Sequence, residues 1–261
     1  MLALENVWME YGSQVVLENV TLAFDSDEFV TIVGASGCGK STFLKLLLGQ
    51  EQPRRGSISL NGEPLSAEPD ERRGVVFQRY SVFPHLRVLE NVMLGLELEQ
   101  PGWFGWTRGR RRQRIKAAAM NAIEAVGLTD AIGKFPSELS GGMQQRLAIA
   151  QSIVKRPQVL LLDEPFGALD PGTRVDMHEL IRRVWCDSNM LVFMVTHDIQ
   201  EGFALGTRLL VFDRVRADPN APQRYGAKVT YDFPLERNES KSDAKERLVP
   251  VSTAGPAEAL G

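Results

Sequence analysis

The sequence predicts an α/β fold, a mostly parallel sheet with helices packed on it. Three observations carry that expectation. Short apolar runs alternate along the chain with amphipathic runs of helical length. VLLL in PQVLLLDE has four consecutive apolar residues and so no polar face, as in a strand covered on both sides; MLVFMVTHD reads the same way. EFVTIV runs directly into GASGCGKST, and STFLKLLLG follows with Phe43, Leu44, Leu47 and Leu48 at helical spacing. A glycine-rich loop therefore joins a strand to a helix, the arrangement of a phosphate-binding loop, or P-loop.

The elements follow in order. LENVWME, VVLENVTLAF and EFVTIVG come first, and the second and third are dense in Val, Phe and Thr, as strands are. An N-terminal antiparallel β subdomain is expected here. GSISLNGEPL reads as a hairpin with Asn61 and Gly62 in the turn, and GVVFQ as a short strand. RVLENVMLGLELE and RIKAAAMNAIEAVGL carry helix periodicity. They flank QPGWFGWTRGRRRQR, which holds turn residues, Trp103, Phe104, Trp106 and a basic run. A further helix starts near Ser140, whose hydroxyl can cap free amides, although Met143 replaces the acid of a full capping box. A helical subdomain is expected over about 85–155. PQVLLLDE, MLVFMVTHD and LGTRLLVFD are strands, PGTRVDMHELIRRVWCD is an amphipathic helix, and YGAKVTYDFPL is one more strand. The domain is expected to span 1–235, followed by a disordered tail, 236–261, rich in Ser, Pro, Glu and Lys.

Bulk properties narrow the class. The chain has 261 residues, 43% hydrophobic content and a net charge of −3. That balance gives no global attraction to nucleic acid, and no nucleic-acid partner is expected. No apolar run reaches the roughly 18–20 residues of a membrane-spanning helix, and no secretory signal is visible at the N-terminus. Cys38 and Cys186 are expected to be reduced thiols of a cytosolic protein.

The motifs carry phosphate chemistry. In GASGCGKST, Gly34, Ser36, Gly37, Cys38 and Gly39 form a loop whose amides can point at phosphate oxygens. Lys40 is placed to neutralise the β- and γ-phosphates, Ser41 to offer a hydroxyl to Mg²⁺, and Thr42 to lie near the α-phosphate. The metal also needs a carboxylate. Asp163 ends a buried strand, expected to lie parallel and adjacent to the strand of the loop. Glu164 follows, placed to polarise an attacking water, which favours hydrolysis over transfer to another substrate. A solvated surface acid is the plainer alternative. Gln78 and His197 each end a strand, expected on the same carboxyl edge, where ligands of parallel sheets bind. Gln78 is a candidate Mg²⁺ ligand or water holder, and His197 a candidate for orienting Glu164. LSGGMQQR opens a helix with a serine and two glycines, a second anion site by the same logic. Since one phosphate site already exists, this second one is expected to serve a neighbouring chain in a two-fold dimer.

This combination resembles the nucleotide-binding subunit of ABC (ATP-binding cassette) transporters over roughly residues 2–213. GASGCGKST resembles the family's Walker A motif, FQ its Q-loop, LSGGMQ its signature, LLLDEPFGALD its Walker B and D-loop, and THD its H-loop. The resemblance implies an ATP hydrolase with ATP and Mg²⁺. It implies that Tyr11 stacks on adenine with Val16 beside it, and that Ser140, Gly141, Gly142 and Gln144 contact the ATP of the opposite protomer. It implies that Asp170 contacts that protomer through the D-loop. FQRYSVFPHLRVLENVMLGLEL and DEPFGALDPGTR are similar to the importers of nitrate, taurine and sulfonates. THDIQEGFALGTRLLVFDRVRADP and YDFPLERN are similar to the branch associated with urea carboxylase, whose solutes are urea- or guanidine-like. The implied partners are a second ATP-binding subunit, transmembrane permease subunits and, indirectly, a periplasmic solute-binding protein. The implied location is peripheral, at the cytoplasmic face of the inner membrane. Phe83, Pro84 and Leu86 are expected to meet the permease. The basic run 108–116 reads as a solvated helix start or as a contact with lipid headgroups, a partner or nucleic acid. No built-in solute sensor is expected in so short a tail. An exporter ATPase, a lipid-extraction ATPase and a soluble ABC ATPase acting on DNA or ribosomes are the alternatives.

Overall fold

A computed structural model describes residues 1–78, 82–98, 109–216, 218, 220–221 and 223–235. The aromatic part of the insertion, Trp103 to Trp106, and the expected tail lie outside the described residues. So does Arg108, the first cation of the basic run.

The chain builds two sheets. Strands β1 (Leu2–Tyr11), β2 (Gln14–Phe24), β4 (Arg55–Leu60) and β5 (Glu63–Pro64) form an antiparallel sheet in the order β2-β1-β4-β5. Between β4 and β5, Asn61 and Gly62 both take positive φ, 56° and 81°. That is the tight turn an Asn-Gly pair permits. The second sheet has the order β10-β9-β3-β8-β7-β6. Its strands are β3 (Phe29–Gly34), β6 (Arg73–Val76), β7 (Val159–Asp163), β8 (Leu191–Val195), β9 (Arg208–Asp213) and β10 (Lys228–Pro234). All neighbours are parallel except β10, which runs antiparallel to β9.

Alternation in these strands divides two hydrophobic layers. Val159 and Leu161 face the layer that contains helix α1 (Lys40–Leu48) and the antiparallel sheet. Leu160 and Leu162 face the other layer. That layer holds α2 (Val88–Leu98), α3 (Arg110–Ala125), α4 (Gly141–Ile153) and α5 (Pro171–Cys186). Phe43 of α1 meets Phe193 and Phe212 edge-on or tilted, at 6.1 and 5.1 Å between ring centroids. The anchor of the loop helix is thus a buried aromatic contact.

Two features depart from the sequence reading. The strand of Asp163, β7, is not adjacent to the loop strand β3, because β8 lies between them. Helix α6 (Ile199–Leu205) stands in a segment that the sequence reading assigned to no element. Its apolar pattern is short, but Asp198 caps it, accepting from the amides of Gln200 and Glu201 at 2.8 and 3.3 Å.

Candidate functional site

The loop after β3 is shaped by what its glycines allow. A Cβ on Gly34 would stand 2.2 Å from the carbonyl oxygen of Phe212 in β9, so the loop strand and its neighbour close only around a bare backbone. Gly39 has φ 88°, and a Cβ there would press Leu17 and Val16 at 2.8 and 3.1 Å. Val16, a candidate for the adenine side, is therefore packed directly beneath the phosphate loop. Lys40 folds back over the loop, its Nζ donating to the carbonyls of Gly34 and Ala35 at 2.8 and 2.9 Å. The side chain of Cys38 is buried, its sulfur 3.8 Å from Lys40 Nζ, and its amide donates to Ala35 at 3.3 Å. Ser36 and Gly37 are exposed. Both cysteines are free thiols.

Asp163 reaches the loop helix despite the intervening strand. The Ser41 hydroxyl lies 3.5 Å from its carboxylate. Burial, and then the charge of Glu164, push the Asp163 carboxyl above its ordinary range; Ser41, Lys40 and Lys45 act in the opposite sense. A hydroxyl and a carboxylate so close form a hard oxygen donor set, which fits a small divalent cation such as Mg²⁺.

Glu164 is held from three sides. Its backbone takes φ 48°, a conformation uncommon for a residue with a side chain. Its amide donates to Val195 at the end of β8, 3.0 Å away. Gln78 Nε2 donates to its Oε2 at 3.2 Å, and His197 Nε2 pairs with its Oε1. Its side chain is 19% exposed, so it is not a freely solvated acid. The three side chains line a cleft of about 370 Å³ with Phe166, Arg174 and Glu201. Strands β6, β7 and β8 deliver Gln78, Glu164 and His197 to one edge, because all three run in the same direction.

The LSGGM segment opens α4. Ser140 caps it, accepting from the Met143 amide at 3.3 Å. Gly141 is exposed with open space around it, whereas a Cβ on Gly142 would meet Thr173 Cγ2 of α5 at 2.6 Å. Gly142 is thus a packing glycine between two helices of the same chain. Gln144 gives its amide to the carbonyls of Pro136 and Leu139, at 2.9 and 3.4 Å, and is turned toward its own chain. Asp170 caps α5 through the Thr173 amide at 3.0 Å; the Thr173 hydroxyl first, and then that amide, hold its carboxyl below the usual range. Tyr11 is 40% exposed and donates its hydroxyl to Glu51 at 3.0 Å. Burial first, then Glu51, raise its phenol above the ordinary value, while Thr42 acts in the opposite sense.

Sequence reasoning missed a polar cluster behind this edge. Glu201 is buried, with its carboxylate bonded to the Thr196 hydroxyl and, at 2.7 Å, to His178 Nε2. The available signal was Asp198 followed three residues later by an acid, the mark of a helix start.

The fold and this edge define a phosphate-loop nucleotide hydrolase: a glycine loop with its lysine, a metal-type hydroxyl and carboxylate, and a second carboxylate held beside them. A family profile described as ABC transporter matches residues 17–167. An aliphatic sulfonates import ATP-binding protein of Burkholderia lata is 41% identical over 241 residues, covering 92% of this chain and 67% of that one. One from Pectobacterium atrosepticum is 38% identical over 245 residues, covering 94% and 83%. A solved dimeric bacterial ABC transporter cassette is 29% identical with a TM-score of 0.71, covering 90% of this chain and 99% of that one. A cassette solved in a post-hydrolysis state with ADP and phosphate is 28% identical with a TM-score of 0.70, again covering 90% and 99%. The chain belongs to the ABC transporter family.

Proposed function

We propose that this chain is the ATP-hydrolysing subunit of an importer of aliphatic sulfonates, acting at the cytoplasmic face of a membrane through separate permease subunits. The observation that carries the hydrolytic reading is Glu164, locked between Gln78 and His197 at the strand edge beside Ser41 and Asp163. The two sulfonate-import relatives support the solute. Among the described residues no helix is long and apolar enough to cross a membrane, which fits a division of labour with separate spanning subunits.

Lys40 neutralises the β- and γ-phosphates of ATP, with the loop amides of residues 36–39 around them. Tyr11 stacks on adenine and Val16 packs beside it. Glu164 takes a proton from the attacking water, and His197 fixes its orientation. Ser41, Asp163 and the amide oxygen of Gln78 would hold Mg²⁺. When bound, that ion supplies charge neutralisation at the phosphate oxygens.

Two chains associate about a two-fold axis, and Ser140 and Gly141, exposed at the start of α4, close over the ATP of the second chain. Gly142 and Gln144, also expected there, support this edge from behind. Asp170 keeps its cap and presents its free face to the same boundary. ATP binding favours the closed dimer and hydrolysis the open one, because the lost phosphate was the bridge. Phe77, Phe83, Leu94 and Leu98 line a cleft of about 760 Å³ beside the Gln78 loop. Phe83 and Pro84 are exposed and Leu86 is half-buried. This face suits docking of a permease helix. A periplasmic binding protein would supply the sulfonate to that permease.

The test is uptake of a radiolabelled alkanesulfonate in cells that carry the gene and in cells lacking it. Uptake restored by this chain and not by Lys40→Ala supports the proposal. Unchanged uptake in the deletion strain would remove the sulfonate assignment.

A further inference from the structure

Behind His197 lies a buried acid that the hydrolytic reading does not use. Glu201 stands in the first turn of α6 and is 7% exposed. A buried carboxylate is retained at a cost unless its oxygens are bonded. Both oxygens here are engaged. Oε2 accepts from the Thr196 hydroxyl, and Oε1 pairs with His178 Nε2 at 2.7 Å. At a helix start, an acid three residues after the cap ordinarily returns to the cap residue's own amide. Here the Asp198 amide instead donates to the Thr196 hydroxyl oxygen at 3.0 Å, and Glu201 secures that hydroxyl from the other side. Thr196 is itself buried and anchored by its amide to Ile32 of β3 at 3.1 Å.

The segment Thr196-His197-Asp198 is therefore clamped at both ends by one hydroxyl, which Glu201 orients. His197 is the residue in the middle. Its side chain is 54% exposed and finds its direction from the backbone beneath it and from its pairing with Glu164. His178 extends the clamp to α5, whose first residues follow Asp170, and its ring meets Phe166 edge-on at 5.1 Å. Phe166 lies two residues after Glu164.

We infer that Glu201, through the Thr196 hydroxyl, is a positioning residue that holds His197 in register with Glu164 and ties that pair to α5. This inference rests on Glu164 being the proton acceptor for the attacking water. Both carboxylate oxygens of Glu201 are engaged within the chain, by Thr196 and His178, so its loss acts on turnover rather than on ATP binding.

The test compares ATP turnover of the full chain as Glu201→Ala, Thr196→Val, Thr196→Ser and His197→Ala, and as the doubles of each of the first two with His197→Ala. The expected result is a fall in kcat of about tenfold for Glu201→Ala and Thr196→Val, the size of one lost positioning hydrogen bond. The KM for ATP stays within about twofold. Thr196→Ser, which keeps the hydroxyl, restores turnover. In the His197→Ala background neither change lowers kcat further, because the partner through which they act is gone. Equal losses in both backgrounds would overturn the inference, as would Thr196→Ser performing no better than Thr196→Val. If Glu201→Ala does not fold, the Thr196 pair with His197→Ala gives the same answer. Glu164→Gln separates the two levels. Wild-type turnover in that variant removes the hydrolytic reading itself, whereas an inactive Glu164→Gln with additive losses at Glu201 removes this inference alone.

Discussion

Gly141 and Gly142 are adjacent glycines in one motif, yet their surroundings differ. Gly141 has open space where a Cβ would stand, and Gly142 has Thr173 Cγ2 at 2.6 Å. Carbon atoms rest comfortably at about 3.5–4.0 Å, so Gly142→Ala forces α4 and α5 apart by close to an ångström or displaces Thr173. Overpacking of this kind costs about 1–3 kcal/mol. Replacing glycine by alanine in a helix returns up to about 1 kcal/mol, and both variants receive that term. Gly142→Ala should therefore be less stable than Gly141→Ala by about 1–3 kcal/mol. Thr173→Ser removes the obstructing methyl and keeps the hydroxyl that pairs with Asp170. The double variant Gly142→Ala/Thr173→Ser should recover most of the loss. Urea unfolding followed by circular dichroism reads all three. Equal midpoints for the two glycine variants, or no recovery with Thr173→Ser, would refute the packing argument. The contact also joins the start of α4 to the start of α5, the two segments proposed to face a second chain.

Asp163 gives a prediction of opposite sign. Its raised pKa means that the ionised form is less favourable in the folded chain than in the unfolded one. Its contribution is fully present below the unfolded pKa and is lost as pH rises through the folded one. Asp163→Asn should raise the thermal midpoint at pH 7, with the difference vanishing below about pH 4, while abolishing hydrolysis; a lower midpoint at pH 7 would contradict the burial argument. Gln145 is fully buried in α4, and neither side-chain polar atom has a partner among the described residues. Gln145→Leu should stabilise the fold by about 1–3 kcal/mol, read as a higher urea midpoint, and a destabilised variant would count against it. Ser140→Arg should leave the fold intact and block turnover by obstructing the second chain's nucleotide; normal turnover would remove the shared site.

The sequence made the α/β class and the phosphate loop legible because both rest on local signals. A strand, a glycine loop and a helix are contiguous, and runs such as VLLL exclude a polar face. The order of the strands was less accessible. Asp163 was expected on a strand next to the loop and lies one strand further away, because adjacency depends on crossovers that no local pattern encodes. The triad of Gln78, Glu164 and His197 could be suspected from three strand ends, but their mutual bonds depend on the parallel register of β6, β7 and β8. The different duties of Gly141 and Gly142 were invisible, since Thr173 is distant in sequence. Glu201 was hidden for a related reason. An acid in the first turn of a helix usually faces water, and only the packing of α6 against β3 and α5 buries this one.

The central claim is that Glu164, fixed by Gln78 and His197, activates the water that cleaves ATP. The direct measurement is steady-state phosphate release by Glu164→Gln beside wild type, with ATP binding measured on the same preparations. The account predicts retained ATP affinity and a turnover lower by about a hundredfold or more. Turnover equal to that of the wild type, with ATP bound equally well, would contradict it.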